Sequence, residues 1–206
     1  YDDALIAYKK AVELEPDNAL YQNNLGVGFD RRELYDDALI AYKKAVELEP
    51  DNALYQNNLG VGFDRLELYD DAFIAYKKAV ELEPDNAFCQ NNLGIGFERL
   101  ELYDDALIAY KKAVELEPDV ALYQNNLGIG LGKLELYDDA LVAFKKAVEL
   151  EPDVALFQSN LGDGFKNLEQ YTDALAAYQK AVELELGNET YNNNLTEMRN
   201  KIKQPD

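Results

Sequence analysis

Two adjacent asparagines, Asn23 and Asn24, interrupt the apolar run YQNNLGVGF at 21–29, and the run returns unchanged at 55–63. The pair recurs as Asn57-Asn58, Asn91-Asn92 and Asn125-Asn126, and in the fifth place as Ser159-Asn160. A carboxamide donates and accepts hydrogen bonds, so a column of such groups could hold the backbone of an extended peptide without reading its side chains. Bond-making chemistry has little to work with. The chain has no histidine and no glycine-rich phosphate loop. Its one thiol, Cys89, stands where other repeats carry Tyr21, Tyr55, Tyr123 and Phe157, and reads as a buried apolar filler. Acid pairs such as Asp36-Asp37 fall at a helix start, where the macrodipole accounts for them. No catalytic residue, metal ligand or cofactor is expected.

The elements that position these residues repeat every 34 positions, giving units at 1–34, 35–68, 69–102, 103–136 and 137–170, then a divergent last unit and C-terminal helix at 171–206. In YDDALIAYKKAVELEPD, the residues Ala38, Leu39, Ala41, Tyr42, Ala45, Val46 and Leu48 form a stripe at helical period, opened by acids and stopped by Pro50. Asp51 and Asn52 then offer caps for a second helix running to about Leu66. Neither helix hides its apolar face alone, so neighbouring hairpins must stack on a shared core. The expected fold is all-α, an α-solenoid of antiparallel helix hairpins forming a single array.

The pattern Leu25-Gly26, Phe29, Ala38, Tyr42, Ala45 and Pro50 resembles the tetratricopeptide repeat, and it runs through residue 170. The resemblance implies a right-handed superhelix and a role as a non-catalytic protein-interaction scaffold. Two positions depart from the family pattern. Gln22 replaces an aromatic residue, and Glu33, Glu67, Glu101, Glu135 and Glu169 replace the glycine of the turn within each hairpin. A left-handed glutamate costs roughly 1 kcal/mol or more, so the turn is expected to extend a helix or to avoid positive φ.

On a helical wheel Tyr21, Leu25, Gly28 and Phe29 share the core sector, with Gly26 beside it against Ala38 and Ala45. The resemblance places the opposite face in a concave groove. That face carries Leu20, Asn23, Asn24, Val27 and Arg31, then Leu54, Asn57, Asn58, Val61 and Arg65. It continues with Phe88, Asn91, Asn92, Ile95 and Arg99, then Leu122, Asn125, Asn126 and Ile129, and finally Asn160. This is an asparagine ladder beside an apolar strip, of the kind peptide-binding members carry, and it suits a ligand with apolar side chains and a basic tendency. The lysines and arginine of a carboxylate clamp are replaced by Asn23, Val27 and Leu54, so an acidic tail is not the expected ligand.

The balance of 20 basic against 40 acidic residues, a formal charge of −20, repels nucleic acid and anionic lipid. No run is long and apolar enough for membrane insertion, and no targeting signal is present in this stretch. The compartment is left open by the sequence. Ile6, Ile40, Ile74, Ile108 and Val142 form a row on the outward side of the other helix, a candidate lateral contact. Asn188-Glu-Thr190 and Asn194-Leu-Thr196 match glycosylation sequons. Two rival readings fit the same chain. One is a structural protein stacking end to end with copies of itself into a fibre, outside the cell and glycosylated. Against it, the polar Asn192, Asn193, Glu197, Arg199 and Lys201 read as a solvating cap. The other is the interaction region of a longer enzyme.

Overall fold

The computed structural model describes residues 2–203; Tyr1 and 204–206, the limits of the expected array, lie outside them. The helices run in pairs. They are α1 (Asp2–Leu14), α2 (Ala19–Asp30), α3 (Tyr35–Leu48), α4 (Ala53–Arg65), α5 (Tyr69–Leu82) and α6 (Ala87–Arg99). Then follow α7 (Tyr103–Leu116), α8 (Ala121–Lys133), α9 (Tyr137–Leu150), α10 (Ala155–Asn167), α11 (Tyr171–Leu184) and α12 (Glu189–Lys203). No strand occurs among the described residues. Two compact units are formed, Tyr1–Ala109 and Tyr110–Asp206, the division falling within α7.

Local sequence sets each hairpin. Helix α3 opens with Asp36 and Asp37 at its positive end and buries Ala38, Leu39, Ala41, Tyr42 and Ala45. Asn52 caps α4 by accepting from the Tyr55 N–H at 3.3 Å, as Asn18 does for α2. Alanines at 0–3% exposure let the helices close on the aromatic ring of the repeat, Tyr42 or Tyr76 in the first unit. Burying such a side chain contributes about 1.5–3 kcal/mol.

The glycines meet those rings. A Cβ on Gly26 would lie 2.5 Å from the Tyr42 ring, and one on Gly62, in the next repeat, 2.9 Å from the other edge of the same ring. Tyr42 and Tyr76 are each thus held between two glycines, one from each of two successive repeats. The sequence places Gly26 against Ala38 and Ala45; the structure places the larger Tyr42 there, because only an absent Cβ leaves room for a ring.

The turn glutamates also differ from expectation. Glu33, Glu67, Glu101 and Glu135 sit at φ 60° and Glu169 at 58°. The following residue explains it: the Leu34 N–H reaches back to the Phe29 carbonyl at 3.1 Å, and the Leu68 N–H to that of Phe63 at 3.0 Å. This six-to-one bond needs a left-handed residue before it. The turn therefore keeps its geometry and carries the strain of about 1–2 kcal/mol in each glutamate.

Candidate functional site

The asparagines lie on α2, α4, α6, α8 and α10, the second helix of each 34-residue unit. In the first unit α2, α4 and α6 touch in succession, and in the second α8 and α10 do so. That contact divides the pairs. Asn23, Asn57, Asn91 and Asn125 are buried at 3%, 0%, 1% and 1% exposure, and Ser159 is buried in the fifth place. Asn92 and Asn126 are also buried, whereas Asn24, Asn58 and Asn160 are partly exposed. The helical wheel puts both members of each pair on the open face; a wheel gives the direction of a side chain and not the neighbour that covers it.

The buried members serve their neighbours. Asn58 Nδ2 donates to Asn23 Oδ1 at 2.8 Å, and Asn160 Nδ2 to Asn125 Oδ1 at 2.8 Å, so the second amide of one repeat satisfies the first amide of the repeat before. At the next step in the first unit the pattern changes. Asn91 Nδ2 donates to its neighbour Asn92 Oδ1 at 3.1 Å, and neither Nδ2 nor Oδ1 of buried Asn57 has a hydrogen-bond partner. An unpaired buried amide costs about 1–3 kcal/mol.

Beside the ladder, Leu20, Leu54, Leu122 and Leu156 are exposed at 44–49% and Phe88 at 38%. Val27, Val61, Ile95 and Ile129 are half-buried. The arginines have intramolecular work. Arg65 Nε donates to Asp30 Oδ1 at 3.2 Å, and Arg99 grips Asp64 through Nε at 2.8 Å and Nη2 at 3.3 Å, with each guanidinium near a tyrosine ring, Tyr35 or Tyr69. Exposed pairs of this kind contribute about 0.2–1 kcal/mol. In the first unit two of the arginines on this face are thus paired with aspartates of the repeat before. Arg31 is exposed.

Two further sets of polar residues make hydrogen bonds that helical periodicity does not reveal. Gln22, at the departure from the family pattern, donates through Nε2 to the Pro16 carbonyl at 2.8 Å. Gln56, Gln124 and Gln158 do the same to Pro50, Pro118 and Pro152 at 2.8–2.9 Å. The signal was present as a glutamine always six residues after a proline. Asp163, where other repeats carry valine or isoleucine, accepts from the Tyr178 hydroxyl at 2.6 Å. Burial pushes its carboxyl above the ordinary range, against the pull of Tyr178 and Lys166.

The remaining candidates fall as follows. Ile6, Ile40, Ile74, Ile108 and Val142 are 64–67% exposed. Cys89 is 1% exposed beside Ala53 and Ala79, and burial pushes its thiol up to about 11. Asn188 accepts from the Tyr191 N–H at 3.3 Å and donates to Glu185 at 3.1 Å, while Asn194 lies partly buried within α12. No helix among the described residues is long and apolar enough to cross a membrane.

Antiparallel hairpins of this period, joined through small residues and a shared ring, define a helical repeat protein. The chain belongs to the tetratricopeptide repeat family, whose models match residues 1–53, 28–87, 125–188 and 90–120. Among solved structures it is similar to a chain of the APC/C hetero-tetramer Cut9-Hcn1, at TM-score 0.87 and 18% identity over 96% of this chain and 39% of that one. TTC0263, a thermophilic TPR protein of Thermus thermophilus, matches at TM-score 0.78 and 22% identity over 88% and 99%. YrrB matches at TM-score 0.63 and 25% identity over 91% and 96%. These likenesses establish an α-solenoid. Comparison with curated protein sequences finds no significant match.

Proposed function

We propose that this chain is a non-catalytic protein-interaction scaffold, and that the asparagine-bearing face of α2, α4 and α6 holds an extended peptide segment with apolar side chains. The observation that carries the reading is the partly exposed Asn58, fixed by its bond to Asn23 beside exposed Leu54 and Phe88. That bond uses one of its two N–H donors and leaves Oδ1 as an acceptor, so a ligand backbone meets an amide already oriented. Preorientation lowers the entropy cost of binding. YrrB, described as a TPR protein with an unusual peptide-binding site, adds a structural relative in which peptide binding occurs.

A displayed library of random peptides tests this. The chain should enrich peptides with apolar side chains, and Leu54→Ser with Phe88→Ser should weaken the selected peptides at least tenfold with helicity unchanged, since both residues are exposed. Failure to enrich any peptide, or affinity indifferent to the double substitution, would remove the proposal. Asn58→Ala is the weaker probe, because it also leaves buried Asn23 Oδ1 unpaired.

A further inference from the structure

Helices α1, α3 and α5 of the first unit show a different surface. Ile40 and Ile74 stand clear of α3 and α5 at 67% and 65% exposure, and Ile6 on α1 at 64%. Around Ile40 the helix reads Asp36 and Asp37 one turn before and Lys43 and Lys44 one turn after; α5 repeats this as Asp70, Asp71, Ile74, Lys77 and Lys78. The acids are exposed, as are Lys43 and Lys77, while Lys44 and Lys78 are half-buried. Residues three and four positions from a central one share its helical face, so each helix presents an apolar centre between an acidic end and a basic end.

Such a helix is its own complement when reversed. Turned over by a twofold axis running along the isoleucine row, α3 meets α3 of a second copy antiparallel. Ile40 then faces Ile40 of the other copy, and Asp36 and Asp37 face its Lys44 and Lys43. The alternative twofold, along the helix axis, sets acids on acids and lysines on lysines. We infer that the outward face of α3 and α5 docks a second copy of this chain in the antiparallel register, with Ile6 extending the contact on α1. The contact is isologous and closes at two copies.

Two further features fit. Beside Ile74 a recess of about 540 Å³ between α4 and α5, lined in part by Leu59, Phe63 and Ala75, can seat a facing isoleucine. The acids and lysines of each helix centre balance, two against two, so this patch escapes the mutual repulsion that the −20 charge imposes elsewhere. Opposing features bound the strength. Lys43 keeps a contact 5.1 Å from the Phe63 ring centre, and Lys44 is paired to Glu47 at 3.3 Å. Glu33 and Glu47 lie seven residues either side of Ile40 and would meet as like charges, which confines the contact to the middle of each helix. Association should therefore be weak and appear at high protein concentration.

Sedimentation equilibrium of the full chain over a wide concentration range is the test. The mass should approach twice the monomer value and stop. Ile40→Glu with Ile74→Glu should hold it at the monomer mass, with helicity unchanged. A chain carrying Asp36→Lys, Asp37→Lys, Asp70→Lys and Asp71→Lys, and one carrying Lys43→Glu, Lys44→Glu, Lys77→Glu and Lys78→Glu, should each stay monomeric alone and associate when mixed. A monomer at every concentration, mass that grows without a plateau, or a dimer that the isoleucine substitutions leave intact would each overturn the inference.

Discussion

The two compact units share a frame and differ in what is attached to it. In both, an aromatic ring sits between helices: Tyr42 and Tyr76 in the first unit, Phe144 and Tyr178 in the second, with glycines against the rings. The first unit caps α2, α4 and α6 with Asn18, Asn52 and Asn86, bridges repeats with Arg65–Asp30 and Arg99–Asp64, and bears the isoleucines. In the second, α8 and α10 begin at Val120 and Val154 with no side-chain cap. Val154 packs instead near Ala121, Ala147 and Phe157. There Ser159 replaces a buried asparagine, Asp163 replaces a valine or isoleucine, and the isoleucine position becomes Val142 and then Ala176. Ring and glycine change little because overpacking or emptying that slot is costly in any repeat; caps and surface charges each contribute about a kilocalorie and can be exchanged.

The largest expected effect breaks the shared frame. Gly60→Ala places a Cβ 2.5 Å from the Tyr76 ring, whereas Gly132, on α8 of the second unit, has nothing within 4 Å of the same atom. Urea titration should show Gly60→Ala destabilising by about 1–3 kcal/mol. Gly132→Ala should be neutral or stabilising by up to about 1 kcal/mol through helix propensity. Equal effects at the two positions would contradict the packing argument.

A smaller effect should be common to both units. Glu67→Gly and Glu135→Gly relieve the left-handed turn residue at φ 60° and should each stabilise by about 1 kcal/mol, less the entropy that glycine adds to the unfolded chain. A loss at either position would mean the glutamate side chain contributes more than its backbone strain costs.

The last prediction sharpens the comparison at Asp163, which only the second unit has. Its native carboxyl is held above the ordinary aspartate range by burial. At neutral pH the native state therefore bears the cost of an ionised buried group, and the cost fades as pH falls through the raised native value. Asp163→Asn keeps an acceptor for Tyr178 and removes the charge. It should raise the denaturation midpoint near neutral pH, with the advantage closing toward acid, as thermal melts across that range would show. A constant difference at all pH values would assign the effect to something other than the charge.

Much of the fold was legible because a 34-residue period fixes every element several times over. Helix limits, Asn52 as a cap and Cys89 as a core residue all follow from local pattern. The glutamate turns depart from local preference because the bond from Leu34 to Phe29, which that preference does not contain, overrides it. At the candidate site, Leu54 and Phe88 lie exposed where the wheel places them, but the buried Asn23 and Asn57 do not. Whether an amide meets solvent or the next helix depends on the packing of successive repeats, which periodicity within one repeat does not contain.

The most direct measurement compares the two faces in solution. With a peptide from the library selection added, NMR spectra should show the side-chain amide signals of Asn24 and Asn58 and the Leu54 methyls shifting together, with the methyls of Ile40 and Ile74 unmoved. Shifts at Ile40 and Ile74 with Asn24, Asn58 and Leu54 unchanged would contradict the account and move peptide binding to the other face.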